Sequence, residues 1–237
     1  MKNLLKFIAI LIFGAVGGIL STQILWPYFV ERPLFEKYKI KEAPTYVIQK
    51  EEIFIQENAA LTQAIEKIEK SVVGIGLTTD GQKFLKGSGF ILTNDGLVLT
   101  LASLASPDVL IFFDGETIPA KIIKKDFQNN LALLKIEKGN LSACRFANLE
   151  KIKIGERVFL VGEKYNINTD AFVKFTNEGI IKNFDQNLIE TNISEGKFAH
   201  GTTLFNIEGE VVGLNYLSSD GEILAIPIPK IKQFTGF

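Results

Sequence analysis

From Val72 onward, short apolar runs alternate with residue pairs that end in glycine. The pairs lie at 80–81, 95–96, 114–115, 208–209 and 220–221, and each begins with Asp or Glu. Asp-Gly pairs tolerate positive φ at both positions, which a two-residue hairpin turn requires. About ten candidate strands fit between such turns in roughly the last 160 residues. The pattern therefore predicts an all-β domain of antiparallel strands, either barrels or a sandwich.

The first thirty residues are predicted to form a membrane anchor. An uncharged stretch of 24 residues, 7–30, follows Lys2 and Lys6, and as a helix it would reach roughly 36 Å. Positive charge before such a helix keeps the N-terminus in the cytoplasm, so the remaining chain would lie outside the cell membrane. We expect a single-pass anchor over 1–30. The alternative is a signal peptide, cleaved or uncleaved, because the most apolar part, Phe7–Leu20, has the length of a signal sequence.

Two segments are expected between the anchor and the strands. Residues 31–57 combine charges and prolines with a β-branched stretch, Thr45–Gln56, and are predicted to form a linker and an extended arm or edge strand. From Leu61 to Val72, apolar residues recur at helical spacing, which predicts one short amphipathic helix. This helix would begin the main domain, 58–237.

Composition argues against several classes of function. Lys and Arg total 26 against 27 Asp and Glu, a formal net charge of -1, so the chain lacks the basic excess that nucleic-acid binding uses. One cysteine, Cys144, and one histidine, His200, supply neither a disulfide framework nor the ligand cluster of a zinc site. We therefore expect no metal site, no cofactor and no nucleic-acid partner.

Several segments in a fixed order resemble one family. GSGFILTNDGLVLTLASLA at 87–105 and DFQNNLALLKI at 126–136 come first, then KIGERVFLVG, NEGIIKNF and a stretch containing GEVVGLN and EILAIPI. Over about residues 58–230 the chain resembles the HtrA/Deg-type trypsin-like serine proteases. The resemblance implies two packed six-stranded antiparallel β-barrels with a site between them, and a homo-oligomer such as a trimer. Because the chain ends at Phe237, we expect no C-terminal PDZ domain.

The same resemblance indicates that all three catalytic positions are changed. Acyl transfer by a serine protease needs a nucleophilic hydroxyl, an imidazole base and a carboxylate that orients the imidazole. The histidine of the family falls on Ser103, its aspartate on Asn130 and its nucleophilic serine on His200. We expect these three residues to converge in the fold without forming an intact triad.

The loop that would form the oxyanion hole is changed as well. Gly201 persists, whereas Phe198 stands where the family has the glycine whose N–H contributes to the hole, with Ala199 beside it. A side chain disfavours the positive-φ conformations open to glycine, and loss of one oxyanion donor costs roughly 10² to 10³ in kcat. The loop is therefore expected to be degenerate.

Other candidate residues have simpler interpretations. Ser103 and His200 would be close enough for a transposed dyad, but Asn130 lacks the charge that stabilises an imidazolium. Cys144 is expected to be a small buried thiol, and Ser88 a structural residue of a strand. His200 itself is expected to be a polar loop residue or, alternatively, a pH sensor.

These observations predict a membrane-anchored, extracytoplasmic pseudoprotease. It would bind a peptide, an unfolded protein or an active protease relative, by strand addition in the cleft between barrels, in envelope quality control. One alternative is an active serine endopeptidase that uses Ser103 and His200. Another is a purely structural envelope scaffold.

Overall fold

The chain divides into two compact units, on either side of residue 51. The computed structural model describes residues 2–26, 53–166, 168–169 and 171–237.

Helix α1 of the first unit spans Lys2–Leu20 and continues as a π-helical segment, Ser21–Leu25. An 18-residue window within these 24 residues has a mean hydropathy of 2.3, and the side chains of both segments are exposed. The helix is long and apolar enough to cross a membrane, although a signal sequence would have the same properties. Its expected orientation and its retention in the mature protein stay predictions.

Helix α2 of the second unit runs from Ile53 to Ile68. The predicted amphipathic helix is thus confirmed from Leu61 onward, and its inner face buries Ala64 and Ile68 against the core. It ends earlier than predicted, because Val72 is already the first residue of a strand.

The predicted extended arm is wrong over its last four residues, Ile53–Gln56, which form the first turn of α2. Residues 45–52 of that arm lie outside the described residues. Once a helix has formed, each further residue adds a hydrogen bond at little cost, and no Pro or Gly interrupts the chain over 53–68. Helix propagation therefore outweighed the β-branched composition of this stretch.

Thirteen strands follow within the described residues. They are β1 (Val72–Thr79), β2 (Gln82–Ile91), β3 (Leu97–Leu101), β4 (Leu110–Phe113), β5 (Glu116–Asp126), β6 (Leu131–Ile136), β7 (Arg145–Phe146), β8 (Arg157–Asn166), β9 (Ala171–Phe184), β10 (Ile189–Thr191), β11 (Thr203–Asn206), β12 (Glu210–Leu217) and β13 (Ile223–Pro227).

The strands form two antiparallel barrels, as the sequence predicts. In the first barrel the order is β1-β2-β3-β6-β5-β4, and β4 pairs with β1 to close it. In the second the order is β11-β8-β9-β10-β13-β12, closed by the pairing of β11 with β12. The two-residue strand β7 adds to β12 in parallel and was not predicted.

Two of the five pairs that begin with Asp or Glu form the predicted two-residue hairpin turns, and in the other three only the glycine has a positive φ. Asp80 and Gly81 have φ angles of 52° and 77° and close the β1–β2 hairpin, whereas Asp114 and Gly115, at 50° and 75°, close β4–β5. Both are two-residue loops with two positive φ angles, the geometry whose twist matches that of the flanking strands.

Ser88 on β2 ties the two barrels together and is fully buried. Its Oγ accepts the backbone N–H of Glu163 on β8 at 2.9 Å, and its carbonyl oxygen accepts the hydroxyl of Thr100 at 2.8 Å. A buried hydroxyl that joins two barrels is a structural group, so the expectation for Ser88 is confirmed.

Helix α3, Ile228–Thr235, follows the last strand and was missed by the sequence reasoning. It has proline in its first turn, and Gly236 ends it with φ at 83°. Proline at the start and glycine just past the end are ordinary helix boundaries. Pro229 and Gly236 therefore mark both ends of the helix in the sequence.

Candidate active site

Three loops bring the predicted site residues together. Ser103 follows β3, Asn130 lies in the turn between β5 and β6, and His200 follows a 3-10 turn at Lys197–Ala199 before β11. The Ser103 Oγ lies 2.9 Å from the His200 Nε2. The first two residues belong to one barrel and His200 to the other, so the group spans the junction between the barrels.

Asn130 supports the backbone that carries Ser103. It has a φ of 53°, a left-handed conformation that asparagine tolerates better than most residues. Its Oδ1 accepts the N–H of Ser103 at 3.0 Å, and its carbonyl oxygen accepts the N–H of Ala102 at 3.1 Å. The side-chain oxygen of Asn130 is therefore engaged with the main chain of the neighbouring loop.

His200 is held by a hydrogen bond to its other ring nitrogen. The backbone N–H of Leu217 donates to Nδ1 at 3.3 Å. A neutral imidazole has one N–H and one bare nitrogen, so an Nδ1 that accepts leaves the hydrogen on Nε2. We infer that Nε2 donates to the hydroxyl oxygen of Ser103. Burial also lowers the pKa of His200 below its ordinary value of 6.5, which favours the neutral ring at neutral pH.

Two backbone N–H groups, those of Ala199 and His200, are hydrogen-bonded within their own loop. The N–H of Ala199 donates to the carbonyl oxygen of Gly196 at 2.9 Å, and the N–H of His200 donates to that of Lys197 at 3.4 Å. These are the bonds of a 3-10 turn. An N–H bonded within the turn is not aimed at a ligand oxygen in the cleft, which is what an oxyanion hole requires.

Gly201 locks this loop onto the first barrel. Its φ is 80°, and a Cβ built there would overlap the carbonyl oxygen of Ser88 and lie 2.7 Å from a methyl group of Leu104. The N–H of Ser88 in turn donates to the carbonyl oxygen of His200 at 3.1 Å. Glycine is therefore required at 201 both for its conformation and for this close approach.

Buried side chains support the loop from the second barrel. The Thr202 hydroxyl donates to the carbonyl oxygen of Ala199 at 2.7 Å and accepts from the Asn215 side chain at 3.0 Å. Sequence reasoning missed Asn215 and Leu217. Leu217 acts through its backbone N–H, and a backbone group cannot be predicted from the type of the residue.

Phe198 faces a cleft beside this loop. The cleft, of about 1010 Å³, lies between the β1–β2, β4–β5 and β8–β9 hairpins, and we call it the hairpin cleft. The Phe198 ring also meets that of Phe175 edge to face, with 6.4 Å between ring centroids. The residue predicted at the oxyanion position thus contributes an aromatic wall.

Cys144 lies apart from this group, between β6 and β7. The residue keeps part of its surface exposed, yet its side chain packs against the first core, and burial raises the pKa of the thiol to about 12. A thiol with such a pKa is protonated at neutral pH and is a poor nucleophile. The interpretation as a packing residue fits this environment. Among the described residues, no group of three or more His, Cys, Asp and Glu is arranged to hold a metal ion.

Comparison with known proteins bears on this arrangement directly. The family of the trypsin-like peptidase domain matches residues 87–214, more than half of the chain. The chain belongs to the trypsin-like peptidase family. The matched stretch includes Ser103, Asn130 and His200.

HtrA-type proteases are among the relatives of this trypsin-like chain. It is 32% identical over 192 residues to the serine protease HTRA1 of Xenopus laevis, covering 73% of this chain and 42% of the relative. It is 32% identical over 135 residues to a DegP-like periplasmic serine endoprotease of Pseudomonas putida strain GB-1, covering 54% and 28%. The chain therefore spans less than half the length of these curated relatives.

A solved structure shares the trypsin-like fold. The serine endoprotease of Yersinia pestis matches with a TM-score of 0.65 and 26% sequence identity, covering 74% of this chain and 65% of that one. The HtrA-type resemblance and the double barrel predicted from the sequence are thus both confirmed.

Proposed function

We propose that this trypsin-like chain is a catalytically inactive pseudoprotease that binds peptides or proteins outside the cytoplasm. The observation that carries the proposal is the hydrogen bond from the Leu217 N–H to Nδ1 of His200. Ser103, Asn130 and His200 are taken as the positions of the ancestral triad.

The polarity of the Ser103–His200 contact argues against a working dyad. A general base must accept the hydroxyl proton, so the nitrogen that faces the hydroxyl has to be bare. Here that nitrogen, Nε2, carries the hydrogen as long as Nδ1 accepts from Leu217. In addition, the amide of Asn130 has no charge to stabilise an imidazolium, a defect that costs about 10⁴ in rate in a serine protease of intact geometry.

The loop before His200 adds a second defect. Its N–H at 200 is spent within the 3-10 turn, and Phe198 replaces the glycine expected at the other donor position. Loss of one oxyanion donor costs roughly 10² to 10³ in kcat. The site thus lacks both a working general base and a complete oxyanion hole, and these two defects favour a binding role over peptide hydrolysis.

The hairpin cleft is the surface left for binding. Between two rigid barrels, such a cleft can hold an extended chain by main-chain hydrogen bonds, with side chains seated in pockets. The partner would be a peptide, an unfolded protein or an active protease relative, in envelope quality control. Homo-oligomers, trimers among them, are part of the proposal on family resemblance.

The placement at the membrane is also part of the proposal. Residues 1–30 would anchor the chain with its N-terminus in the cytoplasm, residues 31–57 would act as a spacer whose last five residues are the start of α2, and 58–237 would form the rest of the extracytoplasmic domain. The apolar helix α1 supports this arrangement.

A serine-reactive probe tests the proposal. The full chain in detergent micelles is incubated with a fluorophosphonate and separately with an unfolded protein, beside Ser103→Ala and Ser88→Ala variants. We expect no covalent labelling and no cleavage above the background of the Ser103→Ala variant. Labelling of the unaltered chain and of Ser88→Ala, lost in Ser103→Ala, would overturn the proposal.

An active endopeptidase remains the second candidate, because the 2.9 Å contact between Ser103 Oγ and His200 Nε2 is a hydrogen-bonded serine–histidine pair. The same probe experiment decides it.

Crosslinking in cells distinguishes a structural scaffold from a binding protein. Peptide adducts at residues 196–203 favour the binding role, and contacts confined to the barrel exterior favour the scaffold.

A further inference from the structure

A buried carboxylate lies at the base of the hairpin cleft. Glu163 on β8 is only 5% exposed and pairs directly across the sheet with Lys174 on β9. Its Oε1 accepts from Lys174 Nζ at 3.1 Å, and the same Nζ donates to the carbonyl oxygen of Val72 at 2.6 Å. Its buried Oε2 faces the backbone of Gly74, whose N–H opposes the rise in the carboxyl pKa that burial causes, but it makes no hydrogen bond of normal geometry. An ionised carboxylate has about four acceptor sites, so this group keeps acceptor capacity.

A glycine in the opposite barrel makes room for this carboxylate. A Cβ built on Gly74 of β1 would lie 2.5 Å from Oε2 of Glu163 and 2.7 Å from a methyl group of Leu85. Any other residue at 74 would push the carboxylate back. A buried charge with an incompletely paired oxygen costs free energy, so a ligand that donates a hydrogen bond to this carboxylate would be favoured.

Aromatic rings form the walls above it. Phe112 and Phe172 stack at 4.2 Å between centroids, and Tyr165 lies 5.7 Å from Phe172. Phe84 and Tyr165 are 45% and 44% exposed. Ring faces attract cations, and the attraction grows as the cation loses water.

The buried carboxylate of Glu163 favours a cationic occupant over an anion. Lys174 is already committed to Glu163 and to a backbone carbonyl oxygen. Asp114 adds negative charge at the β4–β5 turn, against Lys83 on β2. Glu116 is instead paired with Lys138 at 2.6 Å. Glu163 would repel an anion, and a neutral group without a donor would add no hydrogen bond to Oε2. A long apolar stem that ends in a cation satisfies both the rings and the carboxylate.

We propose that the hairpin cleft binds the basic side chain, lysine or arginine, of a bound peptide, with the Glu163 carboxylate as its acceptor. This rests on the proposed function, peptide binding between the barrels. Glu163 is then the residue that determines specificity, and the aromatic rings hold the stem of the ligand side chain.

Matched peptides test the proposal by fluorescence anisotropy on the full chain in detergent micelles. Four labelled peptides share one extended apolar sequence and differ at a central residue, which is lysine, arginine, norleucine or citrulline. The charged peptides are expected to bind about tenfold or more tightly than the neutral ones, as for a hydrogen bond to a charged group. Equal binding of all four overturns this inference and leaves peptide binding intact. No binding of any peptide overturns both.

Two variants test whether Glu163 causes the preference for charged peptides. Glu163→Gln keeps the shape of the side chain and is expected to abolish the preference for charged peptides. Glu178→Gln removes a surface carboxylate that pairs with Arg157 at 3.0 Å and is expected to keep the preference. If Glu163→Gln does not fold, Phe172→Leu takes its place and should reduce the preference several-fold. A preference as large as that of the unaltered chain, in whichever of Glu163→Gln and Phe172→Leu folds, overturns the proposal.

Discussion

The backbone N–H of Leu217 lies 3.3 Å from Nδ1 of His200 and donates to it. In a serine protease triad the same ring nitrogen carries a hydrogen and donates it to a carboxylate. The hydrogen bond here therefore has the opposite polarity. It positions the imidazole against Ser103 while placing the hydrogen on the nitrogen that a base would need bare.

Nuclear magnetic resonance can detect this tautomer directly. His200 is the one histidine of the chain, so selective ¹⁵N-histidine labelling of tag-free protein gives a single ring spin system. At neutral pH we expect Nε2 to resonate as the protonated nitrogen and Nδ1 as the bare one. The reverse assignment would remove the main support for the inactive site.

The close approach of Gly201 to Ser88 predicts a large loss of stability in Gly201→Ala. Any side chain at a left-handed position costs about 1–2 kcal/mol. At 201 the added Cβ also meets the Ser88 carbonyl oxygen, which is expected to cost about 1–3 kcal/mol more. Urea denaturation measures the difference.

Gly221→Ala is the matched control for that measurement. Gly221 has a φ of 81°, nearly that of Gly201, and nothing lies within 4 Å of a Cβ built there. Its substitution should cost only the conformational part, about 1–2 kcal/mol. Equal losses in the two variants would mean that the loop before β11 yields to the added methyl group.

Restoring the ancestral residues should restore reactivity if the three positions are correctly identified. The variant combines Ser103→His, Asn130→Asp and His200→Ser with Phe198→Gly. We expect fluorophosphonate labelling at position 200. The same variant with Asn130 unchanged should react up to about 10⁴-fold more slowly, because the carboxylate is then missing. Equal reactivity of the two variants would contradict the assignment of Asn130.

Particular residues explain how much of this could be predicted. Asp80-Gly81 and Asp114-Gly115 signalled their hairpins because a local backbone need selects those residue types. The convergence of Ser103 with His200 followed from the spacing of family segments. The start of α2 at Ile53 could not be predicted, because β-branched residues disfavour a helix only weakly.

The polarity of the site was beyond sequence reasoning for a different reason. It depends on a main-chain N–H at Leu217, which every residue except proline supplies. Likewise, Glu163 reads as an ordinary charged residue in a strand. Its burial follows from the absence of a Cβ at Gly74, on a strand of the other barrel.

The half-buried His200 and the buried Glu163 are expected to affect stability with opposite dependence on pH. Burial lowers the pKa of His200, so below 6.5 the unfolded chain binds a proton that the folded chain does not. The contribution of His200 to the free energy of unfolding is therefore fully present above pH 6.5 and is lost as the pH falls through the folded pKa. Burial raises the pKa of Glu163 above 4.5, against the opposing effect of Lys174. Its contribution is present below pH 4.5 and is lost as the pH rises through the folded pKa.

Single substitutions separate these contributions. Unfolding free energies are measured from pH 4 to pH 8 for the unaltered chain, His200→Gln and Glu163→Gln. The difference between the unaltered chain and His200→Gln should increase with pH in the window just below 6.5. The difference for Glu163→Gln should decrease with pH in the window just above 4.5, because the folded chain there binds the extra proton. If both differences changed with pH in the same direction, one of the two side chains would not be in the environment described.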